Sequence, residues 1–529
     1  MSPIQQDRLC TGISLALLLV ALIALAGCTG PSAPPSGQSS FDNDLSKITA
    51  DPRYTHASWG LIIVDPVTGT SLYEKNADEM FVPGSTTKLF SGSAVIEALG
   101  ADHRFVTPVY ATAGTDTSGT MNGDLILVAT GDLTMGGRTL PDGTIAYTDI
   151  DHGDANALGG AILAPTDPVA GLDELASKVK ASGITGVSDV IVDDRLFAWN
   201  DPEKDFVISP IMVNDNLVDI TITPGSPGTA ASLAMRPETA AYRLENRVTT
   251  GPAGTPLALG ITESPAGTIR VSGTIAASAG PVNQTYSVQT PAAFARTLFI
   301  EALEREGVAV TADTIGDNPA ARLPAAGGYA GTRMVANLTS PPLIEDVKLT
   351  LKVSQNMHAD TYIMLVAAAS GKTGFSEGMQ EEGKILKNLG LDTGSISLAD
   401  GEGGDSADLF SPQSAAQLLT IMTTRPYAER YVHALPVLGV DGSLASSCTA
   451  GNPACGHVYA KTGTRAGYNP LKDEGILFTK SLAGYVDTKG GKRLVFAVFV
   501  NNVPYSDVKD MMTVGDDLGS IAGLIYTHY

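Results

Sequence analysis

From about Pro108 to Ala325 the chain is cut into short runs such as "GDLILVAT", "DVIVDD", "LVDITITPG" and "TIRVSGTIA", separated by Gly, Pro and Thr. Aliphatic and β-branched runs punctuated by turn residues predict short strands, so this stretch reads as one or two β-rich units. The flanks have another texture. Residues 59–64 are an apolar run, followed by the turn segment "DPVTG" and the alternating "TSLYEKN", which predicts a hairpin. Residues 86–99 carry Leu89, Phe90, Ala94, Val95, Ile96 and Leu99 on more than one face, which predicts a buried helix ending at Gly100. "RLPAAGGYAG" reads as a return linker, after which the chain is largely helical to about residue 370. "SLAGYVDT" and "RLVFAVFVNN" predict two strands around the turn at 489–491, and a last helix should run from about Ser506, its expected N-cap, to near Tyr529.

With 529 residues, 43% of them hydrophobic and 17% charged, the chain can bury a sizeable core in two or three domains. Its net charge of -22 would repel a polyanion, so nucleic acid is not an expected partner. Arg8 precedes an apolar run from Leu15 to Ala26 that is too short to anchor in a bilayer and ends in "LAGCTG". This resembles a bacterial lipoprotein signal at residues 1–27, with Cys28 lipidated as the new first residue; a plain secretory signal is the alternative. Residues 28–44, rich in Pro, Ser and Gly, read as a flexible tether, with folding from about Leu45. Cys10 would leave with the signal, so Cys448 and Cys455 remain. In an oxidising compartment so close a pair suits a disulfide across "CTAGNPAC", two free thiols being the alternative. Zinc is disfavoured, because no second Cys pair accompanies them, and no metal or other cofactor is expected.

In "FVPGSTTKLF", Ser85 stands three residues before Lys88 after a Pro-Gly turn. It is either a helix N-cap or a nucleophile with its base. A chain this long should hold roughly two S-x-x-K by chance, and Ser177–Lys180 is another. Two further elements follow in order: Ser354-Gln355-Asn356 inside a helical stretch, and Lys461-Thr462-Gly463-Thr464 ahead of the final strands. Such a set marks penicillin-binding proteins and β-lactamases. Lys88 could take the Ser85 proton if a cationic neighbour such as Lys461 holds it neutral. Ser354 would relay a proton to the leaving amine, and Asn356 would hydrogen-bond the substrate amide. The Lys461 strand would add the substrate as an edge strand along Thr462, Gly463 and Thr464, with Lys461, Thr462 and Thr464 near its terminal carboxylate. Backbone N–H groups of Ser85 and Thr464 are the expected oxyanion donors. A second K-T-G, Lys372-Thr373-Gly374, has no strand before it and reads as a loop.

Between Lys88 and Ser354 lie 265 residues (354 − 88 − 1). With "GDLILVATGD", "VIVDDRLF", "VNDNLV", "SQNMHAD", "LPVLGVDGSL" and "SLAGYV", the chain from about residue 55 to 529 resembles the penicillin-binding protein 4 family of D-alanyl-D-alanine carboxypeptidases and endopeptidases. The resemblance implies a fold of class α/β (α+β): a transpeptidase/β-lactamase-like domain of antiparallel sheet and helices, made of 45–107 and 326–529, with β-rich inserted domains at 108–325. It implies an exported, membrane-tethered serine peptidase that cleaves peptidoglycan stem peptides and takes β-lactams as covalent inhibitors. A β-lactamase and a catalytically silent envelope binding protein are the rival readings. It also implies an acidic residue of the insert near the substrate, matching Asp193 or Asp194. Two segments depart from the family: "DGEGGDS" from Asp400 to Ser406, and "RAGYNPLKDEGILFTK" after Thr464.

Overall fold

In the strand at Ser58–Asp65 (β1), Leu61 and Ile63 face one core and Ile62 another, so both sides of its sheet must be covered. The computed structural model describes residues 36–199, 204–264 and 267–529. Ahead of β1 runs a helix, Ser36–Thr49 (α1), and β1 turns back into Thr70–Lys75 (β2). A buried helix follows at Lys88–Leu99 (α2). After the insertion come Leu343–Val353 (α3), Asn356–Ala369 (α4), Phe375–Asn388 (α5) and Pro412–Met422 (α6). The chain ends in Val458–Asn469 (β3), Glu474–Asp487 (β4), Arg493–Tyr505 (β5) and Val508–His528 (α7).

These strands form one antiparallel sheet in the order β3-β4-β5-β1-β2, which leaves β3 at an edge. Ala497 and Phe499 join Ile62 under α2 and α6, while Phe496 and Val498 join Leu61 and Ile63 under α1 and α7. The sheet is thus a layer between two apolar cores. Asp507, not Ser506, caps α7, its side chain accepting from the Asp510 N–H.

The structure corrects two boundaries. The tether reading fails over residues 36–44: α1 begins at Ser36, Phe41 is fully buried against Tyr73 and Tyr529, and Asp44 pairs with His528. Phe41 and Leu45, four apart, supply one apolar stripe in an otherwise polar segment. The insertion also runs past residue 325. Strand Arg333–Thr339 buries Ala336 and Leu338 and pairs with Val106–Ala111, closing a four-stranded sheet with Asp124–Val128 and Asp189–Asp193. The insert also holds two three-stranded sheets, a two-stranded parallel pair and the helices Ala170–Ala181 and Pro291–Arg305. No described helix is long and apolar enough to cross a membrane, and Cys28 lies outside the described residues.

Candidate active site

Glycines bring three chain segments together. Gly84 has φ +56, and a Cβ there would meet the Thr464 backbone nitrogen at 2.9 Å. A Cβ on Gly463 would fall 2.3 Å from the Pro83 carbonyl, and one on Gly403 would fall 2.0 Å from the Gly84 carbonyl. The Pro83 carbonyl is held by the Ser481 and Thr86 hydroxyls, at 2.7 and 2.8 Å. Ser85 is therefore wedged between the edge strand β3 and the 400–406 loop.

Ser85 is not a capping residue. It sits inside one 3₁₀ turn, Gly84–Thr87, and its side chain makes no capping bond. In such a turn residues i and i+3 eclipse, which aims Lys88 back at Ser85. The Lys88 Nζ donates to Ser85 Oγ at 2.9 Å, to Asn356 Oδ1 at 2.7 Å and to the Glu402 carbonyl at 2.8 Å, using all three of its hydrogens. Ser177 and Lys180 lie in a helix of the insert, where Lys180 binds the Gly307 carbonyl.

The S-Q-N segment does not lie within a helix, as the sequence pattern had implied. Ser354 breaks α3 from α4 in the left-handed conformation, φ 64 and ψ 38. The break separates its side chains. Ser354 Oγ accepts from Lys461 Nζ at 2.8 Å and Asn356 meets Lys88, whereas Gln355 caps Met357 N–H and reaches Asp215 in the insert at 3.4 Å. Lys461 also binds the Thr462 carbonyl at 2.8 Å, and the Thr462 hydroxyl meets Ser443 at 2.8 Å. The second K-T-G is an exposed loop between α4 and α5, its Lys372 beside Glu377. Cys448 and Cys455 are joined by a disulfide just ahead of β3.

Both lysines are fully buried. Burial pushes the Lys88 amine down, opposed by the charges of Glu402, Asp400, Asp360 and Asp154. Lys461 is pushed well down by burial and by the charge of Lys88, with only Asp154 opposing. Both amines are thus driven toward their neutral forms, and the carboxylates gather around Lys88 rather than Lys461.

A cavity of about 630 Å³ opens beside this group, lined by Ser354, Asn356 and Glu402 from the main domain and by Asp154, Phe206 and Tyr286 from the insert. Asp193 and Asp194 do not line it. Asp193 is instead bound by Arg195 at 2.7 Å and by the Tyr329 hydroxyl. The insert acid that does line it and acts on both lysines is Asp154, pushed up to about 6 by burial and by Asp151. No motif marked it. In "DGEGGDS", Asp400 accepts the N–H groups of Glu402, Gly403 and Asp405 at 3.1, 2.6 and 3.0 Å, which turns the Glu402 carbonyl onto Lys88. Lys204 of the insert ties Asp400 and Asp360 together at 2.9 and 3.2 Å.

Asp151, His152 and Asp215 could between them ligate a metal, but a guanidinium occupies their centre. Arg138 donates to Asp151 at 2.8 and 3.0 Å and to Asp215 at 2.6 Å. A fixed cation there opposes a second one.

A serine and a lysine in contact beside an edge strand, on a sheet sandwiched by helices, define a penicillin-binding-protein fold. Penicillin-binding protein 4 (dacB) of Haemophilus influenzae is similar at a TM-score of 0.68 and 20% identity, over 92% of this chain and 99% of that one. The D-alanyl-D-alanine carboxypeptidase of Actinomadura sp. (strain R39) is 30% identical over 92% of this chain and 86% of that protein. The penicillin-sensitive carboxypeptidase A of Dictyostelium discoideum is 23% identical over 87% and 86%. Residues 41–520 match the D-Ala-D-Ala carboxypeptidase 3 (S13) family, and the chain belongs to that family.

Proposed function

We propose that this protein is a serine-type D-Ala-D-Ala carboxypeptidase, with D,D-endopeptidase activity, that acts on peptidoglycan stem peptides through an acyl-enzyme on Ser85. The observation that carries the reading is the 2.9 Å contact between Ser85 Oγ and the Nζ of a fully buried Lys88. A lysine whose amine is lowered by desolvation can lose its proton and then accept one from a serine hydroxyl.

The steps follow from that contact. Ser85 Oγ attacks the carbonyl carbon of the penultimate D-Ala as its proton passes to Lys88. The oxyanion is met by the N–H groups of Ser85 and Thr464, which Gly84 keeps close together. The C–N bond breaks as Ser354 delivers its hydroxyl proton to the departing amine and takes one back from Lys461, which donates to it at 2.8 Å. Water then hydrolyses the ester and frees Ser85. Asn356, whose Oδ1 is taken by Lys88, has its NH₂ left to donate to a substrate amide. The substrate backbone pairs with β3 at Thr462, Gly463 and Thr464. β-Lactams acylate the same serine. The protein is exported and tethered to a membrane by lipid on Cys28, and Cys28→Ser should release it into the soluble fraction.

Incubation with purified muropeptides tests the reading. Free D-Ala marks carboxypeptidase action and resolved dimers mark endopeptidase action. Intact muropeptides after prolonged incubation with active-site-titrated protein would refute it.

A further inference from the structure

The departing segment after Thr464 lengthens the β3–β4 hairpin and ends at Lys480. Lys480 stands directly across from Thr464 in the β3–β4 register, and its Nζ donates to Thr464 Oγ1 at 2.8 Å. Its stem passes over Gly515 of α7, where a Cβ would lie 3.3 Å from the lysine Cε. Among the described residues this ammonium has that one neutral partner and no ion pair; Asp516 acts on it only through space. Burial lowers the amine to about 8, so it is mostly protonated at neutral pH. A partly exposed ammonium with one of its three hydrogens taken by the protein keeps two to donate to an anion.

Thr464 places that anion. If the scissile carbonyl lies between the Ser85 and Thr464 N–H groups, the leaving residue is the next along β3, about 3.8 Å further in Cα spacing. The free carboxylate of that residue then falls beside the Thr464 side chain. We propose that Lys480 is a specificity-determining residue, its ammonium oriented by Thr464 to receive the free α-carboxylate of the substrate's C-terminal residue. The inference rests on the acyl-enzyme reading above and adds a residue to it. A lysine that merely pinned the hairpin to α7 would not distinguish one substrate terminus from another.

The test compares cleavage of a synthetic acyl-D-Ala-D-Ala peptide with that of its C-terminal amide, by the full chain and by Lys480→Met and Lys480→Arg. The parent should prefer the acid. Lys480→Met should lower the acid-to-amide ratio of kcat/KM by about tenfold or more, the worth of a hydrogen bond between charged groups, and Lys480→Arg should restore most of it. An unchanged ratio in Lys480→Met, whether both rates fall together or neither does, overturns the inference. Thermal midpoints recorded alongside do not enter the ratio, so a destabilised variant is still informative. Failure of the parent to cleave either peptide refutes the carboxypeptidase reading and this inference with it, whereas cleavage of both with an unchanged ratio refutes the inference alone.

Discussion

Two clusters of buried charge lie on opposite sides of the S-Q-N segment, and they are built on opposite rules. On one side Lys88 and Lys461 have, among the described residues, only hydroxyls, an amide oxygen and backbone carbonyls for hydrogen-bond partners, and both amines are pushed toward neutrality. On the other side Arg138, His152 and His358 all meet Asp215, with Asp151 and Asp219 completing the pairs. There burial is outweighed: His152 is held up at about 10 by Asp151 and Asp219, and Asp215 lies well below its usual value because Arg138 and His358 face it. Buried charge with no direct ion pair is driven toward its neutral form, and buried charge fully paired stays charged as a fastening. Gln355 and His358 attach that fastening to the first turn of α4, whose other face carries Asn356 to Lys88.

The largest effect should come from the first cluster. Lys88→Ala should slow acylation by fluorescent penicillin by about 10² to 10⁴-fold, while Lys372→Ala, in the exposed K-T-G, leaves the rate unchanged. Next is the second cluster, where Asp215→Ala removes the carboxylate shared by Arg138, His152 and His358 and should cost about 3 kcal/mol in denaturant unfolding. Unaltered stability with lost acylation would erase the distinction between the clusters. Replacing both Cys448 and Cys455 by Ser should cost about 2–3 kcal/mol by the chain-entropy model, with labelling retained. The smallest effect is on pH dependence. A raised histidine contributes stability that is full below about 6.5 and lost as pH rises through about 10, so His152→Gln should flatten that alkaline limb. The lowered lysines act with the opposite sign: their unfolded forms bind protons that the folded forms do not, so their share of stability grows as pH rises.

The sequence made the chemistry of side chains readable and left that of the backbone hidden. Ser85 and Lys88 could be paired because one turn fixes their spacing, and Lys461 because "HVYA" announces a strand. The Glu402 carbonyl on Lys88 could not be read, since any residue offers a carbonyl and only the Asp400 turn aims it. Nothing in the residue type of Ser354 signals a left-handed break, so the pattern reads as continuous helix across it. Asp154 and Lys480 belong to no motif and reach the site through the fold of the insert and of the long hairpin. Tether-like composition concealed α1, although Phe41 and Leu45 hold the spacing of a buried stripe.

The central claim is that Ser85 is a nucleophile activated by Lys88 and not a helix cap. Peptide mapping of penicillin-labelled protein, with Ser85→Ala alongside, addresses it most directly. The label should sit on the Ser85 peptide and vanish in Ser85→Ala with the fold intact. A label on any other serine, or full labelling of Ser85→Ala, would contradict the account.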